Sequence, residues 1–373
     1  MNNFRLNVAE LFDGEKLLLD QTIVIEDGRI RQIEKNRSAD TNLQGMLVPG
    51  YIDVQVNGGG GYLFNQAPTL KSIEKIGRAH QQFGTTGWLP TLVTDSIEQM
   101  HKAANAVAKA IREKIPGVLG IHFEGPFLSV EKKGVHCESL IREISEAEIE
   151  ILSRKDLGKI VVTLAPENSS ADQIKELVDK GVIVCLGHSN ASFEQTNQAL
   201  AAGATGFTHL FNAMSPFTSR EPGVVGAALL DDNSYAGLIL DGIHVHPDSA
   251  RLAHKLKQKI MLVTDAMPPV GSDQTSFEFF GDSIKREGLR LTDSNGRLAG
   301  SALDMNTAVN NAVKMLAIDK TEAINLASTN PAQFLGLSKD YGNLKVGAKA
   351  SMLLLDKRGT ISDVWIDGKR HSD

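Results

Sequence analysis

Eight short apolar runs constrain this chain more than anything else in it. They are GYIDVQV, TGWLPTLV, VLGIHFEG, KIVVTLAPE, VIVCLGHS, GFTHLFNA, YAGLILDGIH and KIMLVTDAM, all lying between Gly50 and Met267. Each is strand-length and apolar on both faces, and most are separated by segments of helical periodicity. Strands buried on both sides and alternating with helices pair in parallel, and eight of them predict a (β/α)8 TIM-like barrel, with a doubly wound open sheet as the competitor. The helices carry their own punctuation. Ser96 with Gln99 and Ser145 with Glu148 read as capping boxes, and Gly84 and Gly181 read as C-caps.

The two ends break the pattern. TIVIEDGRIRQIEK near the start and SMLLLDKRGTISDVWIDGKRH at the finish each place an Asp-Gly pair, Asp27-Gly28 and Asp367-Gly368, between β-like runs, which is a hairpin signal. Neither segment has enough apolar surface to stand alone, so the two are expected to join. The predicted division is residues 1–48 and 346–373 as a small β-sandwich domain and residues 49–345 as the barrel. A further β-like insert, SFEFFGDSIKREGLRLTDSNGRLAGS, separates the eighth run from a helix starting near Asp304. A chain of 373 residues can bury a core of that size.

Several function classes are excluded by composition. A net charge of -6 argues against general affinity for nucleic acid, so an anionic ligand would need a local cationic group. No run approaches the roughly 18 apolar residues of a membrane span. The N-terminus has no basic segment leading into an apolar core, and cytoplasmic residence is the expectation. Two cysteines, Cys137 and Cys185, cannot build a disulfide framework, and Cys185 reads as core packing.

Barrel active sites form at the C-terminal ends of the strands, where reactive side chains should therefore gather. Glu124 ends the third run, His188 the fifth, His209 the sixth and Asp265 the eighth, while His244 follows the seventh. One carboxylate and two imidazoles make a three-ligand catalytic metal set with a position open to water, which nominates Glu124, His188 and His209. A single strand-end histidine is more often a hydrogen-bonded structural residue, and the joint pattern is what favours ligation. Asp265 suits a general base beside a metal-activated water; an N-cap and a fourth ligand are its other readings. His122 shares a strand face with Glu124 and could stand behind the ligands. His246, before Pro247, should begin a helix. His80, His101, His254 and His371 are assigned to structure or solvent.

The motifs IHFEGPFL (121–128), GHS (187–189), THLFNAM (208–214), DGIHVHP (241–247), TDAM (264–267) and NPA (330–332) are similar, in content and order, to those of the N-acetylglucosamine-6-phosphate deacetylases of the amidohydrolase superfamily. The resemblance runs from about residue 49 to 335 and extends to the β-rich termini. It implies hydrolysis of the acetamide of N-acetyl-D-glucosamine 6-phosphate to D-glucosamine 6-phosphate and acetate, in amino-sugar catabolism or recycling. A metal-held hydroxide would attack, and Asp265 would move the proton. It also implies that His136 contacts the carbonyl, that Asn212, Ala213 and Arg220 bind the sugar phosphate, and that Val135 and Leu298, Ala299 and Gly300 add backbone contacts. In that family the residues matching Arg220 and His244 can reach a neighbouring subunit's site, so a homodimer is expected.

Many amidohydrolases end their first strand in His-x-His, which anchors a second metal. Here those positions resemble Gln55 and Asn57. Uncharged amides are weak ligands for a transition metal. The expectation is one divalent ion per subunit, Zn2+ first and Fe2+, Mn2+ or Co2+ as alternatives, with Gln55 standing behind the site and Asn57 capping the loop. The other functional readings are an N-acetylgalactosamine-6-phosphate deacetylase, a cyclic-amide hydrolase, and a noncatalytic barrel scaffold. The intact set Glu124, His188, His209 and Asp265 argues against the last.

Overall fold

All eight apolar runs pair side by side in one parallel sheet, in chain order: Tyr51–Val56, Thr85–Val93, Gly120–Glu124, Lys159–Leu164, Ile183–Leu186, Gly206–Phe207, Tyr235–Leu238 and Ile260–Leu262. The structure is a computed structural model describing residues 3–35 and 37–371; residues 1, 2, 36, 372 and 373, all within the segments expected to form the small domain, lie outside it. Helices Leu70–Gln81, Ile97–Arg112, Glu146–Leu152, Ala171–Asp179, Phe193–Ala201, Gly223–Leu230, Pro247–Leu256 and Met305–Leu316 each follow one strand and cover the outside. The sheet is therefore a (β/α)8 barrel, and every residue of its first three strands is buried.

The barrel closes between its first and last strands by an irregular seam. Asp265 N–H donates to Gln55 O at 3.1 Å and Asn57 N–H to Ala266 O at 3.0 Å. Below them the Asp53 carboxylate takes the place of ladder bonds. It accepts from the Thr264 hydroxyl at 2.5 Å, the Gln55 N–H at 3.1 Å and the Thr264 N–H at 3.4 Å. Burial pushes Asp53 up to about 7 against the pull of these donors.

The expected caps are present, with one difference. Glu148 accepts from both the N–H and the hydroxyl of Ser145, completing that box. Ser96 accepts from Gln99 N–H at 3.3 Å, but the Gln99 amide turns to Asn65 O at 3.1 Å instead of closing the box. Gly84 and Gly181 take φ of +84° and +88°, as C-caps require.

The two chain ends build one seven-stranded sheet. Its order is Lys369–His371, Ile361–Ile366, Met352–Leu355, Thr41–Pro49, Phe4–Phe12, Leu17–Glu26 and Arg29–Lys35. Late and early strands meet where Met352–Leu355 runs antiparallel to Thr41–Pro49. Leu6, Ile23, Leu47, Met352 and Trp365 share its apolar core. Both Asp-Gly pairs form two-residue turns with positive φ, Asp27 and Gly28 at +51° and +74° and Asp367 and Gly368 at +48° and +76°. The turns touch: a Cβ on Gly28 would lie 2.4 Å from Asp367 O. The insert folds as a four-stranded antiparallel sheet, Ser276–Phe279, Asp282–Glu287, Arg290–Thr292 and Leu298–Ser301. Among the described residues no helix is long and apolar enough to cross a membrane.

Candidate metal centre and active site

Three of the four nominated side chains sit on backbone that L residues avoid. His188, His209 and Asp265 have φ of +48°, +35° and +52°. Such conformations cost free energy unless the surroundings impose them, and they concentrate at functional sites. Glu124 needs no such turn, because it is the last residue of its strand.

The ends of the third, fifth and sixth strands bring three acceptor atoms together. Glu124 Oε1 lies 3.2 Å from His188 Nε2 and 3.0 Å from His209 Nε2, and the two Nε2 atoms are 3.0 Å apart. His188 Nδ1 faces the Lys132 carbonyl oxygen at 2.8 Å and must donate to it, so its Nε2 carries a lone pair. A carboxylate oxygen and imidazole lone pairs this close repel one another unless a cation lies among them. The donor set of one carboxylate and two imidazoles, all buried, fits a divalent metal with a position left for water. Burial opposes ionisation of Glu124, and positive charge facing it, whether protons on the imidazoles or a cation among the three atoms, holds the carboxyl well below its usual range.

Asp265 is no part of that triangle. Its Oδ1 accepts from Asn57 Nδ2 at 2.6 Å and from Gln55 Nε2 at 3.2 Å, and no described hydrogen bond reaches Oδ2. Gln55 Nε2 also lies 3.1 Å from each oxygen of Glu124. Gln55 thus presents its N–H groups, not its carbonyl, to both carboxylates. Burial, followed by the neighbouring Glu124 charge, pushes Asp265 up to about 6. The expectation that Asn57 only caps the loop is corrected: Asp53, Gln55 and Asn57 alternate along one face, and the second amide, Asn57, reaches the Asp265 carboxylate.

Glu124, His188, His209, Asp265 and Asn57 line a cavity of about 170 Å3, together with Val135, His136, Asn212, Ala213, His244, Leu298 and Gly300, while Gln55 lies behind its wall. His136 Nδ1 lies 2.7 Å from Thr94 Oγ1, whose alternative acceptor, Glu124 O, is 3.4 Å away. The hydroxyl proton is better placed on Nδ1, which puts the ring proton on Nε2. Burial and the adjacent His188 keep this ring neutral. His244 is fixed by Asp241, whose Oδ2 is 2.6 Å from Nδ1 while Oδ1 accepts the Ile243 and His244 N–H groups at 2.8 Å. Ala299 does not line the cavity; on the strand Leu298–Ser301 it faces the opposite way, into the insert's apolar cluster. Arg220 is exposed and lies outside the cavity of its own chain.

Four other histidines take structural places, while His101 is exposed on its helix. His122 donates from Nδ1 to Val54 O at 3.1 Å, and its Nε2 meets Thr163 Oγ1 at 2.7 Å, so it belongs to a polar layer beneath the ligands. His246 caps the helix at Pro247. His254 pairs with Glu322 at 3.0 Å, and His80 is buried on its helix against Gly58 O at 2.9 Å. Sequence reasoning did not nominate Thr94, Val93, Met267 or Phe279, all of which border or support the site. The first three lie at or just past the ends of predicted barrel strands, the second for Thr94 and Val93 and the eighth for Met267, which is the only signal the sequence offers for them.

Residues 46–370 match the amidohydrolase family. An N-acetylgalactosamine-6-phosphate deacetylase of Shewanella sp. (strain ANA-3) is 47% identical, over 96% of this chain and 94% of its own. An N-acetylglucosamine-6-phosphate deacetylase of Haemophilus influenzae is 34% identical, over 95% of each. A crystal structure of the N-acetylglucosamine-6-phosphate deacetylase from Pasteurella multocida superposes with a TM-score of 0.96 at 34% identity, covering 100% of both chains.

Proposed function

The chain belongs to the amidohydrolase family, and from that premise we propose that it hydrolyses the acetamide of N-acetyl-D-glucosamine 6-phosphate, releasing acetate and D-glucosamine 6-phosphate. The observation that carries this is the convergence of Glu124, His188 and His209 beside a carboxylate, Asp265, that is held from one side only. One divalent ion on the three ligands, zinc by first choice, would acidify a water and polarise the amide carbonyl.

The chain's own residues supply the rest. Asp265 presents Oδ2 to take a proton from the attacking water and return it to the departing amine. His136 turns Nε2–H toward the carbonyl oxygen and stabilises the charge that develops there. Asn212, Ala213 and His244 border the sugar side of the cavity. Gln55 occupies the two carboxylates that a second ion would need, which supports one metal per chain.

Arg220 is the cation suited to the phosphate, because its planar donors bind two oxygens together. Its exposure outside its own cavity supports a homodimer in which it serves the partner's site. We place the reaction in the cytoplasm, since a sugar phosphate does not cross a membrane unaided. The division of the chain into a small domain of residues 1–48 and 346–373 and a barrel of 49–345 is supported by the separate apolar core of the terminal sheet.

The 47% identical relative favours a second reading, in which the C4 epimer, N-acetylgalactosamine 6-phosphate, is the better substrate. Acetate release from both sugar phosphates, with metal content measured on the same sample, tests all of this. Release from at least one, with close to one metal per chain, is expected. No release from either by metal-loaded protein would refute the deacetylase assignment, and the faster substrate decides the epimer.

A further inference from the structure

We propose that the four-stranded insert closes an apolar subsite for the acyl group, with Phe279 as its roof, and that this wall restricts the enzyme to short acyl chains. The inference rests on the deacetylase reading above. An amide carbon has three substituents in one plane. Its oxygen must face His136 and the ligand set, and its nitrogen must face Asp265 and lead to a sugar on the side of Asn212 and His244, in the loops after the sixth and seventh strands. The third substituent, the alkyl group, is left with the opposite sector of the barrel mouth, over the first and second strands.

That sector is walled by Val93, Val135, Met267, Phe279 and Leu298. Val93, Met267 and Phe279 are 4%, 1% and 4% exposed, and they belong to a single apolar cluster, separate from the barrel core, that includes Phe277 and Ile284 of the insert. The wall is fixed to the base. Ser301 N–H donates to Asp265 O at 2.9 Å, Met267 N–H donates to Ser301 O at 3.0 Å, and Ser301 Oγ donates to Thr264 O at 2.6 Å. From the barrel side, Gln66 Nε2 holds Glu278 O at 2.7 Å, one residue before Phe279. Gly300 allows the close packing: a Cβ there would lie 2.6 Å from Met267 Cγ, on a backbone of φ +62°. A roof tied at both edges must break these bonds to swing away and admit a longer chain.

In the sequence the insert is a β-like segment between the eighth run and a helix, with substrate contacts expected only from its last strand, Leu298 to Gly300. In the structure it supplies the one side of the site that carries no charge, and a close apolar wall discriminates by size. One methylene in such a pocket changes specificity roughly 10- to 200-fold.

The test compares kcat/KM for N-acetyl- and N-butanoylglucosamine 6-phosphate in the metal-loaded enzyme. Wild type should prefer the acetyl substrate by at least about tenfold, and Phe279→Ala should raise the butanoyl-to-acetyl ratio by at least about tenfold. A ratio taken on one preparation does not depend on the fraction folded, and Phe279→Leu provides a milder second variant. Phe280, half out in solvent and outside the cavity, serves as control: Phe280→Ala should leave the ratio unmoved. Acetate release with a ratio unchanged in Phe279→Ala, or changed equally in Phe280→Ala, would overturn the subsite while leaving the deacetylase assignment standing. A wild type that releases no acetate at all would overturn both.

Discussion

At the scale of single residues, the decisive asymmetry is at Asp265. Two amides engage Oδ1 and none of the described groups engages Oδ2, so the residue is aimed like a tool held by its handle. Asp265→Asn keeps the shape, and its amide oxygen can still accept from Asn57 and Gln55, but it cannot carry the proton. It should lower kcat by about 10^2- to 10^4-fold with metal content unchanged. Loss of metal from this variant, measured by elemental analysis, would instead make Asp265 a ligand. Residues of this kind were legible in the sequence because chemistry restricts them: few side chains can ligate or shuttle protons, and barrel strand ends are where they must lie. Asn57 was not legible, because an amide beside glycines looks the same whether it caps a loop or orients a carboxylate. Phe279 was hidden for a different reason, since an apolar residue in a β-like insert gives no sign of which cavity its ring closes.

At the scale of elements, punctuation proved as informative as periodicity. Every one of the eight apolar runs became a barrel strand, since a run apolar on both faces has no other place to go in a chain this size. Both Asp-Gly pairs became tight turns, but nothing in either segment announces that the two turns meet. That contact can be tested. Gly28→Ala places a Cβ 2.4 Å from Asp367 O, on a backbone of φ +74°. The substitution should lower stability by about 1 to 3 kcal/mol, read as a fall in the urea midpoint, while kcat/KM is retained because no residue of the turn lines the cavity. An unchanged midpoint would mean that the turns separate at little cost. The seam at Asp53 was also illegible. A buried carboxylate that replaces ladder bonds is visible only once the first and last strands are known to be neighbours.

At the scale of the whole molecule, buried imidazoles couple stability to pH. Burial lowers His80 to about 4, well under its ordinary 6.5. The folded state then binds fewer protons than the unfolded chain, so the stability from keeping this ring neutral is complete above pH 6.5 and lost as pH falls toward 4. Asp53 works in the opposite direction: its raised value of about 7 favours the folded state as pH falls below that point. The two are separable by mutation. In chelator-treated protein, wild type should lose about 2 to 3 kcal/mol more than His80→Gln between pH 6.5 and 4.5, by urea unfolding at each pH. Parallel pH profiles would exclude His80 as the source.

The sheet shared by the two chain ends also sets a timetable for synthesis. The strand Thr41–Pro49 leaves the ribosome about 300 residues before its partner Met352–Leu355 exists. At translation rates of about 5 to 20 residues per second, that interval is roughly 15 to 60 s. Throughout it, one side of the strand presents unpaired backbone donors and acceptors, a template for pairing with any other nascent chain. The barrel between can assemble as it emerges, but the first strands made must wait for the last. This geometry makes the newborn protein, though not the finished one, a natural client for a chaperone that shields strand edges until translation ends.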